Sequence, residues 1–342
     1  MKTSSAHKMY NFIHDINPLG VAPKVKNRIR KAIKYLSSYN DLAYKQFLDY
    51  LKKTYNITEG QIFISHGSTD LLKKIFKIVK AKQVLIPLPI HNRYKILAER
   101  LGFEIIPFST GFFFDKVYDL EELKKTCDEG ELIILPNPHN ITGKIIDKDK
   151  WDELVWLSNE KKKMIIIDES LLDYIDTASE INKIVSSNYI LILRTFSTFY
   201  GLAGMPFGYL IGGKDVISYI KNSFECDYYS VPYIAYIASK TALKDKRYKK
   251  RTIEFIKNEK AYIVERLKSY EAINVIDTGC NFLLLKVGLD DGELKDGLKK
   301  RNVIVDVYET QEGSFIRFPI QKHKYNAYFV KTLKYLIDKK DV

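Results

Sequence analysis

The chain has 342 residues, 46% hydrophobic and 28% charged, with a formal net charge of +13. This is the composition of a water-soluble globular protein of about two domains that needs no covalent staples. Cys127, Cys226 and Cys280 lie far apart with no CxxC pair, which argues against a disulfide framework or a structural zinc and for a reducing compartment. No apolar run nears the roughly 20 residues needed to cross a bilayer, and none of signal length follows the opening MKTSSAHKMYNF, so a cytoplasmic protein with no membrane partner and no metal is expected.

Between residues 60 and 215, short apolar runs alternate with amphipathic stretches. The runs are QIFISH (61–66), QVLIPL (83–88), ELIILPNP (131–138), MIIIDE (164–169), YILILRTF (189–196) and FGYLIG (207–212). Each is rich in Ile, Val and Leu and bounded by polar or turn residues, as strands buried on both faces of a mostly parallel sheet are. Helical spacing in 69–80 and 94–102 completes an α/β pattern with right-handed crossovers. Beyond 216 the pattern changes. A long helical region (231–269) precedes short strands at 273–279, 281–287, 303–308 and 314–320, and a helix over 327–338 ends the chain. This predicts three parts: an N-terminal arm (1–40) packed with a small domain, a large domain (41–230) and a small α+β domain (231–342).

The positive charge is scattered among acidic residues except in 244–260, KDKRYKKRTIEFIKNEK. Ile253 and Ile256 sit there at helical spacing, which predicts the solvated face of an amphipathic helix. With no zinc-finger or RRM-type motif beside it, no nucleic-acid partner is expected.

In an open parallel sheet, ligands bind outside the carboxyl ends of the strands, and the conspicuous motifs fall there. Gly67-Ser68-Thr69 follows the first run and opens a helix, offering N–H groups and hydroxyls to a phosphate or simply capping the helix. Asn137-Pro138-His139-Asn140-Ile141-Thr142-Gly143 follows the third run, where Asn140 could equally form an Asx turn. Asp168-Glu169 ends the fourth, and Arg194-Thr195-Phe196-Ser197-Thr198-Phe199-Tyr200-Gly201-Leu202-Ala203-Gly204 ends the fifth.

In this order, and with Asn17-Pro18-Leu19-Gly20, Tyr39-Asn40-Asp41 and Ile316-Arg317-Phe318, these motifs resemble the aminotransferase class I/II family over nearly the whole chain. The similarity is to its histidinol-phosphate aminotransferase and threonine-phosphate decarboxylase branch. The resemblance implies the α/β fold of fold-type-I transferases, which use pyridoxal phosphate (PLP): a mostly parallel seven-stranded-type sheet domain plus a smaller α+β C-terminal domain. It implies that Asp168 pairs with the pyridine nitrogen, keeping the ring an electron sink, and that Asn140 bonds the phenolic oxygen. Gly67, Ser68, Thr69, Thr195 and Ser197 would form the phosphate cup. Tyr39 would reach a neighbouring subunit's phosphate, implying a homodimer. Asn17, Leu19, Gly20 and Arg317 would meet the substrate, Arg317 clamping an acidic group with two prongs. Their plainer roles are a strand-end cap for Asp168 and a surface ion pair for Arg317.

The sequence departs from the family pattern around this pocket. Where the pattern has the Schiff-base lysine stands Thr198, and where it has a phosphate-binding arginine, eight residues on, stands Pro206. Leu171 replaces a tyrosine, and His91, in Pro89-Ile90-His91, replaces the aromatic that stacks on the ring. Threonine has no amine for an aldimine, and proton transfer of this kind contributes about 10²–10⁴-fold. Losing a cation opposite a dianion costs about 1.5–3 kcal/mol. Three functions follow. A divergent enzyme would act on an amino acid or phosphorylated amino compound with PLP or its amine form PMP held noncovalently, with His91 moving protons. A pseudoenzyme would form a heterodimer with an active paralogue. A PLP-independent protein would bind a phosphorylated or acidic metabolite.

Overall fold

A computed structural model of the chain describes residues 9–37, 41–80, 82–110, 117–175, 177–224, 231–310 and 313–339; Tyr39 and Cys226 lie outside them. The described residues form two compact units. One spans Gly20–Tyr248, and the other joins the residues up to Leu19 with those from Lys249 on. The predicted boundaries at 40 and 230 thus differ from the observed division. Helix α1 (Pro23–Ala32) belongs to the larger unit, where it packs on a later helix over Tyr233–Leu243.

After strand β1 (Tyr10–Asn11) and helices α1 and α2 (Asp41–Tyr55), the larger unit alternates strand and helix: β2 (Ile62–Ser65), α3 (Gly67–Ile78), β3 (Gln83–Leu88), α4 (Asn92–Arg100), β4 (Glu104–Ser109), α5 (Leu120–Thr126), β5 (Leu132–Pro136), α6 (Lys150–Lys161), β6 (Met164–Asp168), α7 (Ile181–Ile184) and β7 (Ile190–Thr195). Strand β8 (Gly208–Gly212), α8 (Lys214–Phe224) and α9 (Tyr233–Leu243) follow. The sheet order is β2-β8-β7-β6-β5-β3-β4. Strands β4, β3, β5, β6 and β7 pair in parallel, and β8 runs antiparallel to both β7 and β2.

Every residue of β5, β7 and β8 is buried, as their unbroken apolar runs predict. Burying each Ile or Leu of this kind contributes about 1.5–3 kcal/mol. Leu71, Leu72, Ile75 and Phe76 place the apolar face of α3 in the same core as Leu193 and Leu210. The apolar runs do not mark β4. It is an edge strand with Glu104, Pro107 and Ser109 exposed, so its sequence lacks the two-sided hydrophobic signature.

Two local constraints hold the end of β7. The Arg194 guanidinium, buried among tyrosines, donates to Glu169 Oε2 at 2.8 Å and to Asp173 Oδ2 at 3.0 Å. Gly201 has φ +67°, and a Cβ there would lie 2.8 Å from the carbonyl carbon of Gly20.

In the smaller unit, β1 pairs in parallel with β11 (Val303–Ile304). A four-stranded antiparallel sheet is ordered β12 (Asp306–Thr310), β13 (Gly313–Pro319), β10 (Phe282–Val287), β9 (Ile273–Asp277). Helix α10 (Lys246–Leu267) contains the division between the units, and α11 (Asp291–Lys300) and α12 (His323–Asp338) follow. All but the first two residues of the basic stretch lie in α10, whose Thr252, Ile256, Ile263 and Leu267 are buried while Arg251, Glu254 and Lys257 are exposed. Among the described residues no helix is long and apolar enough to cross a membrane.

Replacing Arg194 by Met leaves two carboxylates buried without their cation, so Arg194→Met should destabilise the fold by about 3–5 kcal/mol in denaturant unfolding. Gly201→Ala should cost more than about 1 kcal/mol in the same measurement, because alanine disfavours positive φ and its Cβ meets backbone.

Candidate functional site

Five connections of the larger unit, four leading to helices and the fifth from β7 to β8, carry most of its candidate residues at or just past a strand's carboxyl end. At the end of β2 the chain turns through Gly67 (φ +82°) into α3. Ser68 is half-buried and Thr69 exposed in the first turn of that helix, whose free N–H groups favour an anion. Pro206 packs over this turn: a Cβ on Gly67 would lie 3.3 Å from its Cβ. Thr195 Oγ1 lies 3.3 Å from Ser197 N, which donates to it, and 3.4 Å from the Phe207 carbonyl.

Past β3, His91 is the N-cap of α4, and its Nδ1 accepts from Arg93 N at 3.2 Å. The His91 backbone N–H donates to Asn140 Oδ1 at 3.0 Å, joining this connection to the one after β5. There a tight turn, His139 N to Lys144 O (2.7 Å) and Gly143 N to His139 O (2.8 Å), carries Asn140 into the buried interior.

Asp168, at the end of β6, has a side chain 1% exposed. Its Oδ2 accepts from Arg93 Nη2 at 2.6 Å and from the Tyr94 hydroxyl at 2.8 Å. Its Oδ1 accepts from Ser170 N at 2.9 Å and from the Ser170 hydroxyl. Burial pushes the Tyr94 phenol well above its ordinary value, with Asp168 adding to the rise against Arg93, so Tyr94 stays a protonated donor. Thr198 Oγ1 donates to the Ser170 carbonyl at 2.6 Å. One short segment, 168–170, therefore anchors both the carboxylate and the side chain at position 198.

Arg93 and Tyr94 were not singled out from the sequence. A signal was present: Arg93 lies in the first turn of α4, which has no acidic residue. A cation is disfavoured at a helix N-terminus and needs a carboxylate elsewhere to hold it.

The smaller unit contains the other candidates. Arg317, on β13, is fully buried. Its Nη2 lies 2.7 Å from Asp15 Oδ1 and its guanidinium 3.9 Å from the centre of the Phe282 ring. Asp306 is its cross-strand neighbour. Burial pushes the Asp306 carboxyl up, while Arg317 opposes the rise and Asp15 adds to it. Asn17 Oδ1 accepts from Leu19 N at 2.9 Å, an Asx turn, and its Nδ2 donates to Thr252 Oγ1 at 3.0 Å. In the larger unit the Gly20 carbonyl accepts from the Tyr248 hydroxyl. Among the described residues no group of three His, Cys, Asp or Glu could hold a metal.

These residues do not fit PLP as the resemblance would hold it. Position 198 offers a hydroxyl already bound to a carbonyl. A carboxylate has about four lone-pair sites, and Asp168 fills that number from within the chain, one donor being a full cation. Pro206 brings no charge to the turn at Gly67. What remains chemically in the larger unit is a set of polar groups at the strand ends, the N-terminus of α3, hydroxyls and the Arg93 guanidinium, with no amine at position 198.

The sequence model of aminotransferase class I and II matches residues 14–333. A histidinol-phosphate aminotransferase of Methanococcus aeolicus is 27% identical over 336 residues, covering 94% of this chain and 88% of the relative. That of Clostridium beijerinckii is 27% identical over 331 residues, covering 94% and 89%. The crystal structure of the histidinol-phosphate aminotransferase from Clostridium acetobutylicum superposes with a TM-score of 0.84 at 26% identity, covering 97% of this chain and all (100%) of that one. In fold alone, the Sinorhizobium meliloti enzyme solved in complex with pyridoxal-5'-phosphate is similar at TM-score 0.82 and 18% identity, covering 96% and 92%. L-threonine-O-3-phosphate decarboxylase from Porphyromonas gingivalis is similar at 0.76 and 18%, covering 96% and 100%. With the strand order, the polar side chains gathered at the strand ends and a family match running almost end to end, the chain belongs to the aminotransferase class I and II family.

Proposed function

We propose that this chain binds an amino acid or a phosphorylated amino compound and performs no lysine-dependent transamination. The observation that carries this is Thr198. It stands at the lysine position in the register of Ser197 and Gly201-Leu202-Ala203-Gly204, and its hydroxyl is committed to the Ser170 carbonyl at 2.6 Å. A threonine there can neither form an imine nor pass a proton as an amine does. His91 has one ring nitrogen committed, since its Nδ1 accepts the α4 capping bond. The ligand class rests on the amino end of α3 with Ser68, suited to a phosphate, and on the relatives named for histidinol phosphate.

After borohydride reduction of the PLP-treated protein, mass spectrometry should find no adduct at residue 198 and absorbance no saturating cofactor band. A stoichiometric adduct on another lysine would mean that the catalytic amine has moved, and would overturn the reading. Histidinol phosphate and threonine O-3-phosphate are the probes for binding. At one hundred times its Kd a ligand stabilises by about 2.7 kcal/mol, so at least one should raise the melting temperature. No shift with either removes the binding half of the proposal.

The protein is also proposed to act as a dimer. The resemblance gives Tyr39 a role only across a subunit boundary. The flanking stretch supports the idea: Ile33, Tyr35, Leu36 and Leu42 are 52%, 46%, 62% and 62% exposed. An apolar cluster of this kind marks an association surface. Sedimentation should give a dimer at micromolar concentration. A stable monomer would reject this, and an active paralogue co-purifying from the native host would make the chain a heterodimer subunit instead.

A further inference from the structure

We infer that Arg93 is the resident counter-cation of Asp168, standing where a cofactor ring nitrogen would have to stand, and that it closes the pocket to PLP independently of Thr198. This rests on the reading above that the chain works without covalent PLP, and it assigns the exclusion to a second residue.

A carboxylate buried as deeply as Asp168 needs a hydrogen-bonded cation beside it. In a PLP protein the protonated ring nitrogen serves as that partner. Here the guanidinium does, at 2.6 Å, while also donating to the Tyr94 hydroxyl at 2.6 Å. Its placement is specific. Arg93 sits in the first turn of α4, where the helix dipole opposes a cation, so the Asp168 contact offsets an unfavourable local position.

An incoming pyridinium would compete on poor terms. It offers one N–H, whereas the guanidinium is always charged and makes both contacts at once. The ring nitrogen must also be protonated to compete at all. Displacing Arg93 would leave the Tyr94 hydroxyl without its bond from the guanidinium. Burial keeps that phenol protonated, so Tyr94 continues to donate to Asp168 and cannot take over as a counter-charge.

The test compares PLP binding, by absorbance titration and by mass spectrometry after borohydride reduction, in full-length Thr198→Lys, Thr198→Lys/Arg93→Met and Thr198→Lys/Arg93→Lys. If Arg93 blocks the ring, Thr198→Lys alone should bind weakly. Removing the cation as Met should tighten binding by about ten- to a hundredfold and give an adduct on the new lysine. The Lys variant keeps a cation and should stay near the single variant, which separates charge from bulk. Arg93→Gln in the same background replaces Met if the Met variant does not fold, as judged by circular dichroism. Tight binding by Thr198→Lys alone would overturn the role of Arg93 while leaving the Thr198 reading intact. Failure of the folded Met or Gln variant to bind more tightly than Thr198→Lys would overturn it too. A reducible adduct in the unmodified protein would instead sink the reading on which this rests.

Discussion

A carboxylate with 1% of its side chain exposed needs polar partners where it stands, and the strand ends of the larger unit are organised around that requirement. Asp168 closes β6 at the middle of the sheet, and its four donors come from α4 and from its own strand-end turn. Ser170 then extends the same arrangement, because its carbonyl fixes the Thr198 hydroxyl. The ends of β6 and β7 and the start of α4 are thereby tied into one polar cluster. Beside it, Glu169 points the other way and pairs with Arg194, so adjacent acidic residues serve separate cations.

The smaller unit has a related character. A fully buried guanidinium, Arg317, meets Asp15 of the same unit, with Asp306 across the sheet. An arginine placed to clamp a substrate's acidic group keeps its charge available for that group. Pairing with Asp15 commits at least one edge of Arg317 within the chain, and the charge around it is correspondingly less positive. In both units, taken separately, charges that the family resemblance assigns to ligands have intrachain partners. Breaking one partner of such a buried pair is what destabilises a fold.

The large sheet was legible because its central strands are buried on both faces, and β5, β6 and β7 therefore read as unbroken apolar runs. Strand β4 was not, since an edge position lets Glu104 and Pro107 face solvent and removes the signature. The motifs at the strand ends were legible as a set, since Gly67, Asn140, Asp168 and the Ser197–Gly204 segment each follow a recognisable strand. The domain division was not. Helices α1 and α9, far apart in sequence, pack together in the larger unit, and no local pattern announces such a pairing.

Sequence alone determined the alternation of strand and helix, the family register and the chemical identity of position 198, because these depend on residue order and on which atoms a side chain carries. A threonine has no amine in any fold. Only the tertiary structure decided what Asp168 pairs with. The two residues are 75 apart in sequence, and nothing local ties Arg93 to that carboxylate. Their contact exists because parallel strands β3 and β6 deliver their carboxyl ends to the same edge of the sheet, where α4 begins, and because a charge buried there is stable only beside its counterion.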